Sequence, residues 1–259
     1  MTPYLRIVRF TFLRYLAYPI EIVAGILKQG IAILLLFLFW WAVTRSGTTL
    51  NTHQILAYVL ISGAVGNAGS DVRFTFSKFL QKTIKYGELN TFLVRPVNVL
   101  GYLFASNLGS DGLDWLISLS SLAAGLLLQT PPSLAAILLF LPLFVCSFLL
   151  GFSLNVLIGC ISFYTPEATG IRHTLMHVIR FVCGSLIPLS FFPIFWRGIA
   201  MATPFPSLVF APAGVLTGLL SLSDGLHSLV VGIVWSCILV PLTLFVWKQS
   251  LKHYDAVGI

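Results

Sequence analysis

From Trp115 to Pro166 not one residue carries a charge. A helix needs about 20 consecutive apolar residues to cross the hydrocarbon of a bilayer, so this stretch is too long for one crossing and long enough for two. Pro131-Pro132 falls inside it, where a missing N–H and a ring clash end a helix. The reading is a pair of spanning helices joined by a tight turn at Gln129–Ser133. The rest of the chain agrees. Only 9% of its residues are charged and 58% are hydrophobic, against about 25% charged in a water-facing domain. That balance excludes a soluble enzyme, a disordered chain and a nucleic-acid-binding domain.

The gaps between charges locate the other spans. Span one lies between Lys28 and Arg45, around the unbroken apolar run Ile31–Val43, with one further turn before Lys28. Span two is about Gln54–Ser70, span five about His173–Phe195, and span six Gly225–Trp247, bounded by Asp224 and Lys248. With the pair after Trp115 this predicts an all-α polytopic protein, one membrane domain over residues 1–259 with six transmembrane helices. The stretch Gly198–Ser223 is uncharged but contains Pro204, Pro206, Pro212, Gly214 and Gly218. A lipid-exposed span with so many breakers would leave backbone groups unsatisfied. A re-entrant hairpin entering from the outer face is expected there, with a seventh and eighth half-span or an ordinary outer loop as the alternatives.

Orientation follows from the basic residues, which favour the cytoplasmic side. The chain has 15 Lys+Arg against 8 Asp+Glu. With the N-terminus inside, the inner segments hold Arg6, Arg9, Arg14, Arg73, Lys78, Lys82, Lys85, Arg95, Arg172, Lys248 and Lys252, and the outer ones only Arg45 and Arg197. Both termini are therefore expected in the cytoplasm, in a cell (inner or plasma) membrane. The basic N-terminus shows no small-residue cleavage site and reads as retained. Cys146, Cys160, Cys183 and Cys237 lie in apolar stretches without metal-ligand spacing and read as small apolar fillers.

The most informative polar stretch is Arg73–Asn98. At about 100° per residue, Lys78, Gln81, Lys82 and Lys85 fall on one side of a helix, and Phe76, Phe79, Leu80, Ile84 and Tyr86 on the other, with Phe74 as an exception. Gly87 stands where a helix C-cap is expected, and Arg95-Pro96 closes the segment. A basic amphipathic helix of this kind fits either a lipid surface or a docking element for a cytoplasmic partner. Gly87-Glu-Leu-Asn-Thr-Phe-Leu-Val-Arg-Pro-Val-Asn98 resembles a signature of the ABC type-2 (export-type) permeases. The tail Trp247-Lys-Gln-Ser-Leu-Lys-His-Tyr-Asp-Ala-Val-Gly258 is similar to that family's ending. The layout also resembles the family's: an interfacial helix at about Thr2–Ile20, six spans, a coupling helix between spans two and three, and a re-entrant element between spans five and six.

The resemblance implies a membrane-spanning permease subunit of an ATP-binding-cassette exporter, half of a translocation path. It pairs with a second permease, identical or different, and with a cytoplasmic ATPase subunit. ATP and Mg would then belong to the ATPase, with no cofactor on this chain. The sequence is consistent, having no Gly-x-x-x-x-Gly-Lys-Ser/Thr to cradle phosphates. The residues implicated in ATPase coupling are Phe76, Phe79, Leu80, Gly87, Glu88, Leu89, Phe92, Leu93, Arg95 and Pro96, with Leu89 and Phe92 as expected docking anchors. Asn67, Ser70 and Asn155 are candidate pore-lining residues. Gly63, Gly66 and Gly69, three apart, suit close helix packing better than substrate binding.

Other chemistry fares worse. Lys28, Asp71, Asp111, Asp114 and Arg180 read as charges near the cytoplasmic ends of their spans, able to reach the headgroups. A secondary transporter or channel-like protein without an ATPase is the alternative; an ion-coupled one would want a carboxylate at the bilayer midplane, and none is expected there. Ser110-Asp-Gly-Leu-Asp114 resembles the acidic motif of CDP-alcohol transferases, but metal-assisted phosphoryl transfer needs more converging carboxylates than Asp111 and Asp114. Ser185 with His173 or His177 on the same helix makes a poor protease dyad. The expectation is a transport subunit rather than an enzyme, with membrane lipid but no nucleic acid among its partners. An ATPase gene beside this one would separate the two transport readings.

Overall fold

The computed structural model describes residues 3–45, 52–72, 74–93, 98–110, 112–165 and 167–254; Arg73, Arg95, Pro96 and Asp111 lie outside them. Those residues form helices and connecting turns with no strand among them. In chain order the helices are α1 (Pro3–Leu16), α2 (Pro19–Arg45), α3 (Thr52–Ala64), α4 (Thr75–Lys85), α5 (Leu89–Leu93) and α6 (Val99–Ser110). There follow α7 (Gly112–Leu127), α8 (Leu134–Cys160), α9 (Thr169–Val182), α10 (Ile194–Met201), α11 (Phe210–Thr217) and α12 (Leu222–Leu251). Among the described residues, Leu134–Phe163 and Leu222–Leu251 are long and apolar enough to cross a membrane, and Leu34–Val43 and Asp114–Leu127 are shorter apolar stretches.

The frame is α8 packed along α12. At about 1.5 Å per residue they are about 40 and 45 Å long. Each starts at a serine cap, whose hydroxyl would otherwise compete with the backbone further along the helix. Ser133 accepts from the Ala136 N–H at 3.2 Å, directly after the Pro131-Pro132 break, and Ser221 accepts from the Asp224 N–H at 3.1 Å. Pro142 and Pro241 sit inside these two helices.

Side-chain amides mark one end of the bundle. Gln54, at the start of α3, donates to the Thr217 carbonyl at 2.8 Å, and Gln129, just past α7, donates to the Leu216 carbonyl at 2.9 Å. The C-terminus of α11 therefore lies level with the start of α3 and the end of α7, and Gly218, at φ +71°, turns the chain toward α12. At the opposite end α4, α5, α6 and the last turns of α8 and α12 share one apolar cluster, which includes Phe76, Leu80, Leu89, Leu103, Val156 and Trp247. Between them a middle cluster joins Val72, Leu150, Cys183, Leu208 and Val209.

The chain departs from the expected layout in three places. First, α6 is a separate helix that the charge gaps do not reveal. It packs on α1, where Gly109 lies so close to Thr11 and the Val8 carbonyl that no Cβ would fit. Second, α9 stops at Val182 rather than continuing to Phe195. Gly184 takes φ +80° with the Phe210 Cβ 3.0 Å from where its own Cβ would be, and Pro188 and Pro193 follow, so the helix cannot continue. Third, the breaker-rich stretch begins as α10, already at Ile194. It then returns through a 3-10 turn at Pro206–Leu208 into α11, which is buried along its whole length.

Candidate coupling site

The chain leaves α3 through a π-helical turn, Val65–Gly69, closed by the Ser70 N–H on the Val65 carbonyl at 3.2 Å. Single π turns inside helices often mark functional sites. The turn lies against α8: Gly69 would bring a Cβ to 3.0 Å from Phe144 and Ser147, and a Cβ on Gly151 would overlap the Ser70 backbone. Asp71 and Phe74 then adopt positive φ of 45° and 54°, unusual for a bulky residue such as Phe. Both are held from outside. Phe74 is buried, and the Asp71 carboxylate accepts from the N–H groups of Thr75 and Phe76 at 3.2 and 3.0 Å, capping α4. Phe74 breaks the helical pattern because it precedes the helix.

Asn155 on α8 locks this junction. Its side-chain oxygen accepts from the Ser77 N–H at 3.1 Å, and its NH2 donates to the Asp71 carbonyl at 3.2 Å and to the Gly151 carbonyl at 3.0 Å. A polar network joins the other side of α4 to the start of α9. Gln81, buried rather than on the solvent face, donates to Thr169 Oγ1 at 2.9 Å and accepts from Arg172 Nε at 3.2 Å. Lys85 Nζ lies 2.5 Å from Glu167 Oε1. The Glu167 carboxylate, by hydrogen bond first and by charge second, holds the exposed Lys85 ammonium above the ordinary lysine range.

The helix ends as its sequence suggests: Gly87 follows the last turn at φ +70°, and its N–H meets the Ile84 carbonyl at 3.1 Å. Phe76, Leu80 and Leu89 are fully buried in the end cluster, with Phe79 and Phe92 half-buried against it. Leu89 therefore faces this chain's own core and cannot serve as a docking anchor. The amphipathic pattern shows that one face is covered but not by what; here α8 and α6 cover it. Phe92 lies 4.9 Å from Tyr102, centroid to centroid. Lys78, Lys82, Lys85, Tyr86, Glu88 and Leu93 remain exposed. Tyr86, assigned to the apolar side by pattern, is 66% exposed. The tail closes the same cluster: Phe163 stands between Trp247 and Tyr254, each 5.9 Å away and edge-on.

Of the candidate pore-lining residues, Asn67 lines two cavities. Asn155 borders the smaller of them, of about 50 Å3, while engaged as described; Ser70 is buried against α8 and lines neither. The larger cavity, of about 410 Å3, lies between α2, α3, α7 and α9. Gly66 packs on Val72 and Val209 and Gly69 on α8, but Gly63 faces the open space of this cavity.

A family model described as ABC-2 family transporter protein matches residues 30–258. The chain belongs to the ABC-2 transporter family. No curated protein matches it. As an ABC-2 membrane protein it is a transport component of a membrane, and its two motif stretches gain a common location. Leu89 and Phe92 from the first, and Trp247 and Tyr254 from the second, meet in one cluster at one end of the bundle. The periodicity of each stretch could signal a buried face, but nothing in either signals that the two faces meet.

Proposed function

We propose that this chain is the membrane-spanning permease subunit of an ATP-binding-cassette exporter. It crosses the membrane six times, as α2, α3, α7, α8, α9 and α12, with both termini in the cytoplasm. α1 lies along the inner surface, and α10–α11 form a re-entrant element from the outer face. With a second permease chain, identical or different, it encloses the translocation path. ATP and Mg are handled by a separate ATPase, which docks on the exposed surface of α4 and α5.

The observation that carries this reading is the junction at α4. Its apolar side is satisfied within the chain, leaving a polar surface of Lys78, Lys82, Tyr86 and Glu88. Behind that surface lie connections: the Ser77 N–H to Asn155 of α8, and Gln81 and Lys85 to the start of α9. A push on α4 would reach α9 and α8 through them. A helix lying on anionic lipid gains from its lysines but has little use for Glu88, which the headgroups repel.

The test is ATP turnover by the partner ATPase, copurified and reconstituted with this chain. Glu88→Arg should leave membrane insertion intact and abolish transport-stimulated hydrolysis. Phe92→Ala should weaken it by loosening α5 from Tyr102. Lys82→Gln should do far less, since a lysine near a lipid surface contributes about 1 kcal/mol. Full stimulation in Glu88→Arg, with stimulation lost in Lys82→Gln, would make the segment a lipid anchor.

A further inference from the structure

A crevice of about 300 Å3 between α1 and α6 is lined by Tyr4, Leu5, Val8, Phe104 and Leu108, and no charged side chain lines it. We infer that it seats one acyl chain of an anionic phospholipid of the surrounding bilayer, whose phosphate rests on Arg6 and Arg9 beside it. The inference rests on the proposed position of α1 at the inner membrane surface. It deepens that reading by naming the lipid class and the residues that select it.

The packing of α1 makes the crevice. Tyr4 lies on Gly101, where a Cβ would come 3.2 Å from its ring, and Val8 and Thr11 close on Gly109. The glycines let the two helices approach. Larger side chains at positions between them, Leu5, Phe104 and Leu108, form the walls. The volume is at the lower end of the range of about 300–1,000 Å3 typical of small-molecule sites. A bound water needs two to four polar partners, which these walls do not supply, whereas a hydrocarbon chain matches them.

The charge beside the crevice selects the headgroup. Arg9 follows Leu5 by four residues and so shares its side of α1. Helical side chains lean toward the N-terminus, which carries the Arg9 side chain over the turn that Leu5 occupies. Arg6 precedes Arg9 by three residues and is its neighbour on the helix surface. Both are exposed and pair with no carboxylate among the described residues, and α1 contains no acidic residue. Two like charges at this spacing repel, and an anion between them removes the repulsion.

The same side of α1 exposes Leu5, Phe10 and Leu13 at 55, 67 and 53%. Water would leave these side chains unsatisfied, and hydrocarbon would leave the arginines so. The boundary between headgroups and acyl chains suits both. There an anionic lipid gains from each cation, and a zwitterionic one gains less. The seat also touches the coupling region. Phe104 walls the crevice and meets Phe76 of α4, centroid to centroid at 6.4 Å, so an acyl chain there would brace α6 beneath the coupling helix.

The experiment uses the purified full chain, without any ATPase, in phosphatidylcholine nanodiscs. Phosphatidylglycerol carrying a photoreactive diazirine in one acyl chain is added at trace level, and labelled peptides are identified by mass spectrometry. Label should concentrate on the peptides containing Val8 and Leu108, and unlabelled phosphatidylglycerol should displace it. A phosphatidylcholine probe of the same design should label them far less. Arg6→Gln with Arg9→Gln should raise the phosphatidylglycerol needed for half-maximal labelling about tenfold or more. Lysine at both positions should restore it, because the charge and not the shape of the side chain is required. Leu5→Glu should abolish the labelling, since it removes an apolar wall and gives Arg9 a partner four residues away. Leu5 is exposed, so this variant keeps the proposal falsifiable if the double arginine variant fails to fold. Lys248→Gln, exposed at the end of α12, should label as wild type. Equal labelling by the phosphatidylcholine probe would overturn the site while leaving α1 at the membrane surface. Labelling of α1 by neither probe would overturn that placement as well. Wild-type labelling in both the double glutamine variant and Leu5→Glu would also overturn the site. So would a benzophenone amino acid at Leu5 that captures a second copy of the chain and no lipid. Because no ATPase is present, failure here leaves the coupling test untouched.

Discussion

Asn155 is 1% exposed; its amide bridges the junction between the π turn and α4 and also bonds the Gly151 carbonyl of its own helix. Its sequence neighbours, Leu154 and Val156, gave no sign of this, and an asparagine in an apolar helix reads equally well as a pore residue. Asn155→Leu keeps the size but strands the buried Ser77 N–H, while the Asp71 carbonyl keeps the Phe74 N–H. It should cost about 1–3 kcal/mol for the one donor left unsatisfied, seen as a lowered thermal midpoint in detergent. Unchanged stability would mean that another acceptor takes over the Ser77 N–H. Gln81 teaches a related lesson. Helical periodicity places it among the lysines, but a neutral amide can be buried where its partners exist, and Thr169 and Arg172, far off in the chain, provide them. Gly87 was legible because its role is local: only the backbone of its own turn decides it.

Elements bounded by local chemistry were readable, and those bounded by distant packing were not. The Pro131-Pro132 break, the start of α8 and the end of α4 follow from residues within a turn of the boundary. In contrast, α6 is set by α1 lying across Gly101 and Gly109, and the early stop of α9 depends on Phe210 approaching Gly184. Charge gaps carry no information about either. The contact of the π turn with α8 makes the sharpest prediction at this scale. A Cβ on Gly151 would overlap the Ser70 backbone, which cannot rotate aside as a flexible side chain could. Gly151→Val should therefore destabilise the protein by about 1–3 kcal/mol or more, and separate the end of α3 from α8. Cross-linking between cysteines at Ser70 and Phe152 would fall in this variant. Cross-linking at wild-type efficiency, with wild-type stability, would show that the helices approach less closely than described.

For the molecule as a whole, the sequence indicated a helical membrane protein with a polar segment after its second apolar stretch. It could not indicate that the family's two motif regions would close one cluster, since Leu89 and Trp247 are far apart in the chain. The proposed topology is tested by single cysteines on a cysteine-free background, labelled from outside intact cells. Cysteines at Lys82 and Lys252 should stay unlabelled while one at Arg197 reacts; efficient labelling at Lys82 would invert the arrangement. The central claim, that the exposed surface of α4 and α5 is where the ATPase sits, is tested most directly by photo-cross-linking in cells. A benzophenone amino acid at Tyr86 or Leu93, both exposed at that surface, should capture the ATPase chain, and the same probe at Phe195 on α10 should not. Capture of the ATPase from Phe195, or of lipid alone from Tyr86 and Leu93, would contradict it.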